Sequence, residues 1–297
     1  MAITTQTKAY AYTVLTILLW STVATAFKIA LREVDYVQLL FYASLASLLS
    51  LFVVLTLQGK LGLLARLSVG QVAYSALLGL INPTLYYLIL FRAYDLLPAQ
   101  EAQPLNWTWP IALTILSAVV LKQRLTVRTV MAILVSFSGV LVIATRGDLA
   151  ALRLSNPPGD ILAVGSSLFW AAFWVLNLRD RRDPVLKLFL CFLFGNIYNT
   201  IVVLLLADFT LPSLKGFAGA AYVGLFEMGI TFVIWLKALS LSRDSASVGI
   251  LAYLTPFLSL IFIRFVLGET ILLSSFIGLV LIVGGILLQV GREVKAD

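Results

Sequence analysis

The chain has 297 residues, 61% hydrophobic and 12% charged, against roughly 45 to 50% and about 25% in an ordinary soluble domain, which excludes a soluble fold of this size. One cysteine, Cys191, and no histidine exclude a disulfide framework, Cys/His zinc sites and histidine proton relays. The net charge of +7 comes from Lys and Arg in short segments between apolar runs, which points to membrane topology and not to nucleic acid.

A membrane helix needs about 20 apolar residues to cross a hydrocarbon core of ~30 Å. Apolar windows predict ten such helices, over about residues 10–31, 36–58, 71–92, 99–121, 127–145, 160–179, 186–207, 216–239, 245–267 and 271–290. Span one carries Trp20 and, toward its end, Lys28. Its Ala24-Thr25-Ala26 has the small-residue pattern of a signal-peptide cleavage site, but the apolar run continues past it, so no cleavage is expected. Span three carries Asn82, Pro83, Tyr86 and Arg92, and span four Gln103, Asn106, Trp107, Trp109 and Pro110. Span six holds Trp170, Trp174, Asn177 and Arg179, span eight Glu227, Trp235 and Lys237, and span nine Tyr253 and Pro256. Spans five and ten offer little beyond small residues and apolar bulk.

The polar and aromatic residues of spans three, four, six, eight and nine recur at three- and four-residue steps, so each set shares one helical face. A polar stripe facing lipid is unfavourable; these faces are expected to turn to a shared interior, with spans five and ten outside. For a single Ser or Thr, helix-to-helix hydrogen bonding is the commoner explanation. Tryptophan decides: membrane Trp belongs at the interface, whereas Trp20, Trp107, Trp109 and Trp170 fall near span centres, as the wall of a cavity for apolar groups would require. Pro83, Pro110 and Pro256 are expected to kink their spans and free carbonyls there, available to a substrate ammonium or for gating. Glu227 is the one carboxylate near a span centre; it either receives a substrate ammonium, carries a proton, or bonds to the Asn82–Pro83 region at the same depth. Lys28, Arg92, Arg179 and Lys237 lie near span ends, where snorkelling is the ordinary explanation and gating the alternative.

Two further patterns fix organisation. With the N-terminus inside, 14 of the 21 Lys and Arg fall on the cytoplasmic side, which predicts cytoplasmic termini. Pro110 and Pro256, Gly139 and Gly285, and Gln123 and Glu269 are each 146 residues apart, predicting two repeats over residues 1–148 and 149–297. Five spans per repeat, an odd number, invert the second repeat relative to the first. The expected fold is thus an all-α integral membrane protein of ten helices, two inverted five-helix repeats around a central cavity. No Walker motif, HExxH or paired intramembrane aspartates occur, so neither ATP-driven transport nor proteolysis is indicated, and no catalytic residue, metal or cofactor is expected.

Leu19-Trp20-Ser21-Thr22, Asn106-Trp107-Thr108-Trp109-Pro110, Leu254-Thr255-Pro256, Leu267-Gly268-Glu269 and Gly284-Gly285 resemble the EamA-type drug/metabolite transporters over nearly the whole chain. Within that superfamily the Trp-Ser-Thr and Asn-aromatic-x-Trp-Pro runs resemble the YddG-type aromatic amino-acid exporters. The resemblance implies a multi-pass protein of the bacterial inner membrane that exports amino acids or similar small metabolites by alternating access through a central cavity. A drug or nucleotide-sugar carrier, or a non-transporting scaffold, are the alternatives. Gln123 departs from the acidic residue common in that family and leaves substrate choice open. The expected partners are a small-molecule substrate and membrane lipid; the oligomeric state stays open, a monomer included.

Overall fold

The computed structural model describes residues 5–121, 126–148, 154–207, 210–242 and 245–290, and every regular element among them is helical. Helix α1 (Thr5–Ala30) is followed by α2 (Tyr36–Leu57), whose first turn is capped by Asp35 accepting from Val37 N and Gln38 N. A short 3₁₀ turn (Leu61–Arg66) leads to α3 (Val69–Gly79), opened by a reciprocal capping box between Ser68 and Gln71. A wide turn (Leu80–Leu85) then joins α3 to α4 (Tyr86–Leu96). Helices α5 (Ala99–Asn106) and α6 (Trp109–Leu121) form one interrupted rod, and α7 (Val127–Ala144) starts at a Thr126 cap.

The second half begins with α8 (Pro157–Arg179), where Asn156 caps and the two prolines occupy the first turn, in which a missing N–H costs nothing. Asp183 and Pro184 start α9 (Pro184–Leu206) in the same way. Helix α10 (Leu214–Val223), a wide turn (Gly224–Gly229) and α11 (Ile230–Leu241) run together. They are followed by α12 (Ser245–Ala252), α13 (Thr255–Phe262) with a further wide turn (Ile263–Leu267), and α14 (Leu273–Val290). Eight helices are long and apolar enough to cross a membrane: Thr5–Ala30, Tyr36–Leu57, Val69–Leu96, Val127–Ala144, Pro157–Asn177, Pro184–Leu206, Leu214–Leu241 and Val248–Leu267, with a shorter apolar one at Leu273–Leu288.

The interruptions recur. Wide turns stand at 80–85 and 224–229, two-residue breaks at Trp107–Thr108 and Tyr253–Leu254, and α7 and α14 are both 18 residues long. The expected proline kink is present at Asn82–Pro83, whereas at Pro110 and Pro256 the helix is interrupted outright. Pro110 and Pro256 are the second residues of α6 and α13, placed where their missing N–H leaves no hydrogen bond unmade. Pro83 lies within the wide turn beside Asn82, whose backbone is extended (φ −145°, ψ 119°). Its ring fills the notch left by Gly195 of α9, since a Cβ there would lie 2.5 Å from Pro83 Cγ. Gly79 meets the same helix, where a Cβ would fall 2.5 Å from the Cys191 carbonyl. Enlarging Gly79 would push α3 off α9, and enlarging Gly195 would push the Pro83 turn off α9.

Helix α1 packs against α10, α11 and α13, α8 against α4, α5 and α6, and α2 and α3 against α9. Helices α7 and α14 pack chiefly on each other. Ser136 Oγ donates to the Ile282 carbonyl at 3.0 Å, and a Cβ at Gly285 would sit 2.6 Å from the Ala132 carbonyl. Most hydroxyls in the spans bond within their own helix, as Thr13 does to Ala9 O (2.8 Å) and Thr114 to Pro110 O (3.0 Å).

Candidate functional site

Six side chains from four helices and a wide turn close a circuit at mid-bundle. Tyr87 Oη of α4 donates to Glu227 Oε1 at 3.1 Å. Its neighbour Tyr86 lies 4.6 Å away by ring centroid and 4.8 Å from Trp170 of α8. Trp170 in turn meets Phe232 of α11 at 5.6 Å, Phe232 meets Trp20 of α1 at 6.2 Å, and Trp20 Nε1 donates to the Glu227 carbonyl at 3.4 Å. Trp235 extends the circuit from Trp20 (5.6 Å) and Trp174 extends it from Trp170 (5.7 Å). Tyr86, Tyr87, Trp170 and Phe232 are buried, whereas Trp20, Trp174, Glu227 and Trp235 keep part of their surface open. The buried rings therefore back the half-open ones. Glu227 sits in the wide turn between α10 and α11, and no Lys or Arg lies within ion-pair distance of it among the described residues.

A second group surrounds the two helix breaks. Asn106 Oδ1 accepts from Tyr86 Oη (3.3 Å) and its Nδ2 donates to Ser166 Oγ (2.8 Å), while Thr108 Oγ1 donates to Ser167 Oγ (3.2 Å). The first break is thereby pinned to α8. Trp107 faces Tyr253 edge-on at 6.3 Å, so the break residue of one half meets that of the other. Gln103 is buried with its Oε1 unpartnered, and Trp109 packs on the core at the start of α6.

Other expected positions fall elsewhere. Asn82 is fully buried with neither amide atom partnered, and the Glu227 carboxylate is paired to Tyr87 instead, because the wide turn rotates Asn82 out of helical register. Asn177 does not join the aromatic group. It lies at the far end of α8, where its Oδ1 and carbonyl both accept from Lys187 Nζ at 3.1 Å. Lys28 Nζ caps the end of α4 by donating to Tyr94 O (2.7 Å) and Leu97 O (3.0 Å). Arg92 pairs with Asp95 and stands 5.1 Å over the Tyr36 ring, while Arg179 and Lys237 are exposed.

Sequence reading missed Tyr87 and Phe232, which share no spacing with Glu227 that would mark them. It also missed the buried Lys187, although a lysine in the first turn of an apolar helix is a signal. Around Lys187 the structure gathers Asp180, whose carboxylate binds the Arg182 guanidinium (2.9 Å), while Arg182 also donates to Ser75 Oγ (2.8 Å). Asp183 pairs with Lys60 at 2.6 Å. Partial burial alone would raise both carboxylates, but Arg182 and Lys60 outweigh it and hold Asp180 and Asp183 below the usual carboxylate range.

The family profile described as the EamA-like transporter family matches residues 7–145 and again 157–291. The chain belongs to that family. It is a multi-pass membrane transporter. An uncharacterized transporter of Archaeoglobus fulgidus is 27% identical over 292 residues, covering 96% of this chain and 98% of that protein. The aromatic amino acid exporter YddG of Ancylobacter novellus is 25% identical over 176 residues, 59% of this chain and 61% of its own length. A solved crystal structure at 22% identity superposes with a TM-score of 0.68, covering 100% of this chain and 99% of that one, and shares its fold.

Proposed function

We propose that this EamA-family chain is a secondary exporter of amino acids, aromatic and other neutral ones first, or of similar small metabolites, working by alternating access in a bacterial inner membrane. The observation that carries the reading is the half-open wall of Trp20, Trp174, Trp235 and Glu227 at mid-bundle, beside the meeting point of the two helix breaks. An aromatic wall with one carboxylate suits a small molecule with an apolar side chain and an ammonium group. The substrate wall in this reading comprises Trp20, Asn82, Tyr86, Gln103, Asn106, Trp107, Trp109, Trp170, Trp174, Glu227, Trp235 and Tyr253. The relative named as an aromatic amino acid exporter supports the same substrate class.

Ten membrane helices, as two inverted five-helix repeats with cytoplasmic termini, complete the reading, counting α5 with α6 and α14 as spans. Residues 146 apart touch each other: Trp107 meets Tyr253, and Ser136 bonds to Ile282. Contact between equivalent positions is what a two-fold pseudo-axis produces, and an odd number of spans per repeat lays that axis in the membrane plane. Breaks on the axis allow each half to rock against the other.

The test is flux into proteoliposomes. With a panel of labelled phenylalanine, tyrosine, leucine and related metabolites, protein-dependent uptake of at least one is expected, with or without a proton gradient. No protein-dependent flux of any member contradicts the exporter reading. Alanine at Trp107, Trp170 or Tyr253 is expected to lower flux more than the amount of folded protein, and alanine at peripheral Leu141 is the control.

A further inference from the structure

The circuit around Glu227 contains a feature that narrows the substrate class. Tyr87, Tyr86, Trp170, Phe232 and Trp20 form a chain of ring contacts between 4.6 and 6.2 Å that begins at the Glu227 carboxylate and returns to the Glu227 backbone. Aromatic faces are electron-rich, so a ring-lined site with one carboxylate attracts a cation. The cations that the sequence places in these spans, near their ends, are otherwise engaged or exposed. Lys28 is held by the Tyr94 and Leu97 carbonyls, Arg92 by Asp95 and Tyr36, and Arg179 and Lys237 are exposed. Lys187 is held by Asn177 and Asp180. Among the described residues, no guanidinium or ammonium forms an ion pair or hydrogen bond at the circuit that could receive a substrate carboxylate.

From this we infer that the site recognises its substrate by an ammonium group and an apolar side chain, and does not read a carboxylate. The inference rests on the exporter reading but is separable from it, because binding can be measured without transport. Glu227 Oε1 is occupied by the Tyr87 hydroxyl, which fixes the carboxylate's orientation. The half-open Trp20 and Trp235, 5.6 Å apart, supply the faces against which an ammonium and its attached methylenes rest. Amines and amino-acid esters, which lack the free carboxylate, are then better ligands than the parent amino acid, and the deaminated acid is excluded.

The experiment is equilibrium binding to the purified full-length protein in detergent, with phenethylamine, phenylalanine methyl ester, phenylalanine and 3-phenylpropionate as probes. Phenethylamine and the ester are expected to bind at least as tightly as phenylalanine, and 3-phenylpropionate about ten-fold or more weakly, the loss of one charge-assisted contact. Glu227→Gln is expected to weaken phenethylamine about ten-fold and to erase its advantage over 3-phenylpropionate. Because that variant bears on a buried hydrogen bond, Trp235→Leu provides a second test: it leaves the carboxylate and Tyr87 in place and is expected to weaken phenethylamine several-fold while preserving the melting temperature. Equal binding of 3-phenylpropionate and phenethylamine, no binding of any probe, or an unchanged preference in a folded Glu227→Gln protein overturns the inference. Probe binding with this preference but without any flux in proteoliposomes leaves the recognition standing and removes the exporter reading.

Discussion

Lys28 shows how much a single side chain's meaning depends on its neighbours. Its position near the end of an apolar helix suggests snorkelling, yet its Nζ sits between the Tyr94 and Leu97 carbonyls and stabilises the last turn of α4. Lys28→Met is therefore expected to lower stability by about 1–3 kcal/mol, since two partly buried carbonyls lose a charged donor. Thermal unfolding in detergent measures this, and turnover per folded molecule should be unchanged; a gate residue would give the opposite pattern. Asp180 and Asp183 make a second residue-scale prediction. Burial opposes their ionisation, but Arg182 and Lys60 prevail and both titrate below the ordinary carboxylate range. Depressed folded-state values mean that their contribution is present above the unfolded value of about 4 and is lost as pH falls through the lower folded values. Stability measured from pH 6 down to 3 should decline at the acid end, and Asp183→Asn should flatten that decline. A wild-type curve with no acid loss contradicts the assignment. The aromatic positions were legible because Trp at mid-span is abnormal; Tyr87, Phe232 and Lys187 were not, because their roles come from contacts between distant helices that periodicity does not encode.

At the scale of elements, the crossing of α7 and α14 depends on backbone approach. A Cβ at Gly285 would fall 2.2 Å from Ser136 Oγ and 2.6 Å from the Ala132 carbonyl, so Gly285→Val must push the helices apart. A loss of about 1–3 kcal/mol is expected, of the size that overpacking imposes on a filled interior. The melting temperature checks it, and an unchanged value would mean that the two helices do not meet there. Span positions were legible from hydropathy to within a few residues, as α2 (Tyr36–Leu57) and α9 (Pro184–Leu206) illustrate against expected windows of 36–58 and 186–207. The interior breaks were not. Proline signals that a helix is disturbed, but whether it kinks a rod or opens a new one depends on partners such as Ser166 and Ser167, which hold Asn106 and Thr108 at the break. The wide turn at Glu227 contains no proline at all, and Gly224 and Gly229 are its only local signal.

For the whole molecule, the proposed repeat would pair the wide turns at 80–85 and 224–229, the breaks at Trp107–Thr108 and Tyr253–Leu254, and helices α7 and α14. In that proposal the contacts of Ser136 with Ile282 and of Trp107 with Tyr253, each between residues 146 apart, lie where the two halves meet. That arrangement has a kinetic consequence: a carrier whose site opens to one face at a time returns faster when loaded on both sides, whereas a channel does not. The most direct measurement is exchange of labelled phenylalanine in proteoliposomes loaded with or without an excess of the unlabelled compound. Internal phenylalanine should accelerate entry of label several-fold, and Trp20→Ala should abolish the acceleration without unfolding the protein. Entry at the same rate with and without internal phenylalanine, or no protein-dependent entry, would contradict a site that alternates between the two faces.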